Sequence, residues 1–219
     1  MDLSIPQNIP INKNFLNFFQ KSLDKWKKYG IIIITVMITI IEFESEDKTM
    51  LDKNVSKLIN EQINKELYSA YLYLDFSIYY ESQGLDGFAN WYMIQAQEER
   101  DHAMLMLKYL QNNGEEVTLE AVGKPDKEYS GLMDPLKFGF EHEQYVTSLI
   151  NDIYGAAYAV KDFRTMQFLD WFVKEQLEEE KSADDMIKKM ELFGNDSKGL
   201  YSLDAEYAAR VYTAPSLTL

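Results

Sequence analysis

Glu99 and His102 stand three residues apart in QEERDHAM (97–104), on a stretch whose apolar steps of four and three mark that face as core. A carboxylate and an imidazole one helical turn apart can hold a cation together. Alone, they can equally be a satisfied core pair, and EQLEEEK (175–181) by itself reads as a solvated helix face. Repetition separates the readings. Glu66 interrupts the seam Ile59, Ile63, Ala70, Tyr73, and Glu99 interrupts Tyr92, Ala96, Ala103, Met106, Leu110. Glu143 interrupts Leu136, Phe140, Thr147, Ile150, Tyr154, while Gln176 and Glu179 interrupt Phe172, Ala183, Met186, Met190. Glu66 to Glu99 and Glu143 to Gln176 are each 33 residues, and His102 and Glu179 each lie three further on. The polar breaks therefore fall at matching depths in two helical pairs.

A single buried carboxylate is costly to desolvate and tends to protonate, whereas several around a cation stay charged. Glu66, Glu99, Glu143 and Glu179 can meet at a bundle centre with His102 and Gln176, and two divalent ions would formally offset the four negative charges. Hard oxygen donors with one imidazole suit iron or manganese far better than copper(I). Bridging carboxylates hold two ions roughly 3.5–4 Å apart, close enough to act jointly on one small molecule. Iron adds the redox chemistry that zinc lacks.

The elements that must position these groups are helices. Periodicity predicts them over 51–81, 86–113, from Asp134 onward, and over 165–192, with Asp134 and Pro135 as cap and first helical residue of the third. Short turns around Gly84 and Lys161 make each pair an antiparallel hairpin. Between the hairpins, 114–133 carries Gly123, Pro125 and Gly131 and is long for a compact domain. It is long enough to cross the bundle, so the third helix starts at the opposite end. The expected fold class is all-α: a four-helix bundle with a long crossover between helices two and three. A short fifth helix is expected after Ser202, beyond the turn LFGNDSKGL.

Composition narrows the chemistry further. The chain of 219 residues has no cysteine and two histidines, His102 and His142. Disulfides, thiolate metal sites and cysteine nucleophiles are excluded, and an intracellular, cytoplasmic setting is the easier fit. The net charge of -14 disfavours nucleic acid and anionic lipid and favours cations. All of that charge lies in 50–219, because the six lysines of 1–49 balance its six acidic residues. Within 1–49 the apolar or hydroxyl run 31–41 is too short for an ordinary bilayer span, and no small-residue cleavage site follows it. It could instead form a strand. Residues 1–49 are expected to lie outside the working domain, as a disordered extension or an upstream translated segment, with 50–219 forming the diiron domain.

With these residues in place, 50–210 closely resembles the non-haem bacterial ferritins, on NEQINKELYSAYLY, AQEERDHAM, FEHEQ, LDWFVKEQLEEEK and GLYSLDAEY. The resemblance implies a ferritin-like bundle in which Glu66, Glu99 and His102 hold a first iron, Glu99 bridges, and Glu143, Gln176 and Glu179 serve a second. It implies an additional third-iron site from Glu98, Glu175 and Glu178 with Glu179, and a redox-associated role for Tyr73. Tyr73 and Trp171 also fit as packing residues, Trp171 alternatively as an electron donor. An idealised diiron bundle repeats Glu-x-x-His in its second hairpin, whereas this chain has Gln176-x-x-Glu179. That departure favours ferritin over bacterioferritin, rubrerythrin or diiron monooxygenases. Arg100 stands where bacterioferritin has its haem-ligating methionine, and Met104 and Met106 read as core, so no haem is expected.

The implied activity is a ferroxidase: oxidation of Fe(II) by dioxygen or hydrogen peroxide at an intrasubunit diiron centre. Ferric mineral would then be stored inside a homo-oligomeric cage of 24 subunits, for iron storage and detoxification. No nucleic acid partner is expected, and no membrane partner for the core domain. Three alternatives stay open: a small diiron oxidase without mineral storage, a non-enzymatic helical interaction protein, and the mini-ferritin Dps cage. The complete intrachain ligand set and the negative charge count against the last.

Overall fold

The computed structural model describes residues 50–219, together with a few helical positions between 13 and 29. Backbone contacts divide the chain into Met1–Lys48 and Thr49–Leu219. The strand reading of 31–41 lies outside the described residues.

Five helices make up the second unit: α1 (Lys53–Ser82), α2 (Asp86–Asn112), α3 (Asp134–Ala159), α4 (Phe163–Phe193) and α5 (Ser197–Ala208). Asp52 caps α1 by accepting from the backbone N–H of Asn54 and Val55, and Asp162 caps α4 by accepting from Thr165. The two hairpin turns each contain a residue in the left-handed region, Gly84 (φ 73°) and Lys161 (φ 59°). Glycine adopts that conformation without steric cost, and lysine does not. Helices α1 and α2 pair, α3 and α4 pair, and α1 packs against α3. The described chain is thus the four-helix bundle with long crossover and short C-terminal helix that the sequence implies.

The crossover runs the full length of α1 and is pinned to it at intervals. Ser56 Oγ donates to Glu115, Asn60 exchanges two hydrogen bonds with Thr118, and Asn64 donates to the Glu120 carbonyl. Further along, Tyr129 donates to Asp75 and Tyr80 donates to the Leu132 carbonyl at 2.6 Å. The bonds to Thr118, Glu120 and Leu132 satisfy polar backbone that would otherwise lie across a helix without partners.

Two expectations about helix ends need correction. Asp134 does not cap α3. Met133 is the N-cap, and the Asp134 carboxylate turns back to accept from Ser130 and Gly131, closing the last turn of the crossover. The fifth helix also starts earlier than expected, at Ser197, because Asp196 accepts from the Gly199 N–H and nucleates it inside the glycine-containing turn. Its Asp204 supplies the cap that α2 lacks: Leu85 offers no side-chain bond, and Asp204 Oδ1 accepts from Gly87 N (2.8 Å) and Phe88 N (3.1 Å). A Cβ on Gly87 would lie 1.7 Å from the Asp204 carbonyl oxygen, so glycine is required for this approach.

Two apolar clusters fill the bundle. One joins Val55, Ile59 and Ile63 to Met106, Leu110, Ile150 and Phe172; the other joins Tyr73, Phe76 and Tyr80 to Phe88, Tyr92, Leu136 and Met190. The polar interruptions lie between them.

Candidate metal centre

Each helix delivers its interrupting residue to the gap between the clusters. Glu66, Glu99, Glu143, His102 and Gln176 are all at most 4% exposed, and the Glu179 side chain is 11% exposed. Ligand-capable atoms of Glu66, Glu99 and His102 lie within 4.8 Å of one another, and so do those of Glu99, Glu143 and Glu179. Glu99 belongs to both groups, which is the position a bridging carboxylate needs. His102 Nδ1 stands 3.6 Å from Glu99 Oε2 and 3.9 Å from Glu179 Oε1.

The hydrogen bonds leave the carboxylates deliberately incomplete. Gln62 donates to Glu66 Oε1 (3.0 Å), and Gln95 donates to Glu99 Oε1 (2.9 Å) and Glu179 Oε1 (3.1 Å). Glu66 Oε2 and Glu179 Oε2 are buried without a partner. Orphaned buried oxygens are rare in folded proteins, and these two belong to the groups that could hold a metal ion. Glu143 accepts from the Tyr73 hydroxyl and from Gln176 Nε2 at 3.1 Å. Gln176 therefore meets Glu143 as a donor in this arrangement.

Burial, reinforced by Glu99, pushes the Glu66 and Glu143 carboxyls up to about 8. Burial likewise carries Glu99 up to about 7 and Glu179 well above the ordinary carboxyl range. Metal-free, the centre retains protons to relieve its own repulsion, and cations can replace them. Burial and the neighbouring Glu143 also push the Tyr73 phenol up, keeping it a neutral donor.

These are the two halves of a diiron centre of the ferroxidase type, rich in oxygen and carrying a single imidazole. A ferritin-like domain model matches residues 56–193. The chain belongs to the ferritin family. It is 40% identical over 155 residues to the bacterial non-haem ferritin of Campylobacter jejuni, covering 71% of this chain and 93% of the relative. It is 38% identical over 157 residues to a probable bacterial non-haem ferritin-like protein of Haemophilus influenzae, covering 72% and 95%. Among solved structures, the open-pore ferritin of the archaeon Archaeoglobus fulgidus superposes with a TM-score of 0.72 at 42% identity, covering 74% of this chain and 98% of that one. The chain thus carries a candidate diiron centre of the ferroxidase type at its core.

The residues implied for a third iron are gathered less tightly. Glu98, Glu175, Glu178 and Glu179 line a cavity of about 310 Å³ beside His102 and Trp171. Glu98 is ion-paired with Arg210, whose Nη2 also donates to Gln95 Oε1 at 3.0 Å and whose guanidinium lies 4.2 Å from the Trp91 ring centre. Burial raises the Glu98 and Glu175 carboxyls, and Arg210 pulls Glu98 back down. Trp171 packs edge-on to His102 at 5.5 Å.

Sequence reasoning missed Gln62, Gln95 and Arg210. The two glutamines were discoverable: each lies four residues before its glutamate, and they are themselves 33 residues apart. Arg210 reaches Glu98 from 112 residues away and leaves no local signal. Among the described residues, no helix is long and apolar enough to cross a membrane.

Proposed function

We propose that this protein stores and detoxifies iron. Glu66, Glu99 and His102 bind one Fe(II) and Glu143, Gln176 and Glu179 a second, with Glu99 shared. Glu98, Glu175 and Glu178, together with Glu179, take a third. Dioxygen or hydrogen peroxide withdraws one electron from each of the paired irons. The carboxylates stabilise the rising positive charge, His102 supplies a neutral nitrogen, and the ferric product leaves to hydrolyse and mineralise. A lone bundle has no interior for mineral, so storage requires subunits that close around a cavity, here a homo-oligomer of 24 copies in the cytoplasm. Residues 1–49 stand outside this working domain.

The observation that carries the reading is the pair of buried clusters sharing Glu99. Its test is anaerobic Fe(II) titration of the assembled protein followed by oxygen, recording ferric absorbance, particle mass and retained iron. Two or three tightly bound irons per subunit, rapid oxidation and an iron-filled particle are expected. Glu99→Ala and Glu143→Ala should abolish the rapid phase, and an unchanged rate would overturn the mechanism. Light scattering of a monomer or dimer would overturn the cage.

A further inference from the structure

Beyond α5 the chain continues as a strap without helix or strand, whose contacts climb α2 from Asn90 to Asp101. It is fastened at intervals. Asn90 Nδ2 donates to the Arg210 carbonyl at 3.1 Å, Tyr212 donates to Asp101, and the Trp171 indole N–H of α4 donates to Ser216 Oγ at 3.1 Å. Leu217 then packs against the first apolar cluster. Between these fastenings, residues 213–216 help to wall the cavity of about 310 Å³ that Glu98, Glu175, Glu178 and Glu179 line.

Arg210 ties the strap to that acidic cluster. Its Nη1 donates to the Trp91 carbonyl at 3.0 Å, and its Nη2 donates to Gln95 Oε1 at 3.0 Å and to Glu98 Oε2. Among the described residues it is the only lysine or arginine lining the cavity, against four carboxylates. One of these, Glu179, has its Oε2 buried without a partner. A cation is the partner that such a set lacks.

A divalent ion among the carboxylates changes what Arg210 faces. Glu98 gains a doubly charged partner, and the guanidinium gains a like charge beside it in a partly buried site where screening is weak. The remaining acceptors of Arg210, a backbone carbonyl and an amide oxygen, are neutral, and a neutral acceptor holds a guanidinium roughly half as strongly as a carboxylate does. The fastenings at Tyr212 and Ser216 use Asp101 and Trp171, which lie outside the acidic cluster. Arg210 is therefore the fastening whose strength depends on what the cavity holds.

We propose that residues 210–216 are a cation-released latch. Arg210 holds the strap over the cavity until a divalent ion, bound by Glu98, Glu175, Glu178 and Glu179, displaces the guanidinium from Glu98 and frees the strap. The inference rests on the third-iron reading of those four glutamates. The dependence is reciprocal: the ion frees the strap by the same factor with which freeing the strap tightens the ion. Ions held by Glu66, Glu99, His102 and Glu143 leave the Glu98 pair in place, so the latch distinguishes a centre holding two ions from one holding three.

The test exploits a chain that has no cysteine of its own. A nitroxide is attached to Val211→Cys, an exposed position next to Arg210, in the assembled full chain. Zn(II), which is diamagnetic and redox-inert, is titrated in while EPR reads label mobility and equilibrium dialysis counts bound metal. Glu178→Gln, in the same labelled background, should remove one zinc equivalent. Mobility in the parent labelled protein should rise severalfold with that equivalent, and the label should stay slow throughout in Glu178→Gln. Arg210→Gln should free the label without metal and tighten the same equivalent roughly tenfold. The other equivalents, retained in each variant, report that the bundle is folded. If that zinc binds and the label stays slow, Glu98 bridges the ion and Arg210 and the latch alone is overturned. A label that slows further makes the strap a ligand and also overturns it, as does mobility that rises with the other equivalents. If Glu178→Gln removes no equivalent, the third-iron reading falls and the latch with it.

Discussion

Replacing Glu66 by glutamine should stabilise the metal-free protein, and by an amount that depends on pH. The fold raises this carboxyl from 4.5 to about 8. Below about pH 4.5 the group is protonated folded and unfolded, and it costs nothing. As pH rises toward 8 the unfolded chain ionises freely while the folded chain resists, so stability is lost across that window. At about 1.4 kcal/mol per tenfold in proton affinity, the full burden is roughly 5 kcal/mol. Part of it belongs to repulsion from Glu99, which gains freedom to ionise once Glu66 is neutral. The expected stabilisation at pH 8.5 is therefore about 2–4 kcal/mol, and under about 1 kcal/mol at pH 5. The amide keeps the shape, and its oxygen still accepts from Gln62. Thermal unfolding in chelator at fixed subunit concentration should show a rise of roughly 5–15 °C at pH 8.5. With a redox-inert divalent cation present the sign should reverse, because the native protein alone gains the full stabilisation of the bound ion. Equal shifts at both pH values, or destabilisation at pH 8.5 in chelator, would refute the reasoning.

Three other perturbations follow from described contacts. Arg210→Gln releases Glu98 from its ion pair, so the third Fe(II) equivalent in an anaerobic titration should bind more tightly while the first two change little. Tighter binding of none of the three would show that Arg210 does not compete for that position. Gly87→Ala forces the α5 backbone off the start of α2 and should cost about 2–4 kcal/mol in denaturant unfolding, the range of an overpacked or uncapped site. Phe172→Ala removes a buried ring that meets His102 edge-on with centres 5.8 Å apart, and should cost about 3–5 kcal/mol, read from the same unfolding curves.

The helical seams and their glutamate interruptions were legible because both are short-range signals: period and spacing place Glu66, Glu99, Glu143 and Gln176 without any knowledge of neighbours. Which seam residues are fully enclosed was less so. Ala70, Phe140, Thr147 and Tyr154 are only half-buried, since the neighbouring helices decide how wide a stripe of each helix is covered. Asp134 looked like a cap because residue type and a following proline favour one. Its carboxylate instead accepts from the Ser130 and Gly131 N–H groups. Arg210 on Glu98, Asp204 on α2 and Asp75 on Tyr129 join segments distant in the chain, and no local pattern announces them.

Asp204 has a mechanical consequence. At 12 residues, α5 is too short to hold its helix alone in water, so its order is borrowed from the bundle. The transaction runs both ways, because α2 has no cap of its own and its first turn carries Phe88, whose ring stacks on Tyr80 at 5.0 Å and meets Tyr207 of α5 at 4.7 Å. A load applied to the last helix is thus delivered to the first turn of α2, and from there through Phe88 to the stacked rings of Tyr80 and Tyr92.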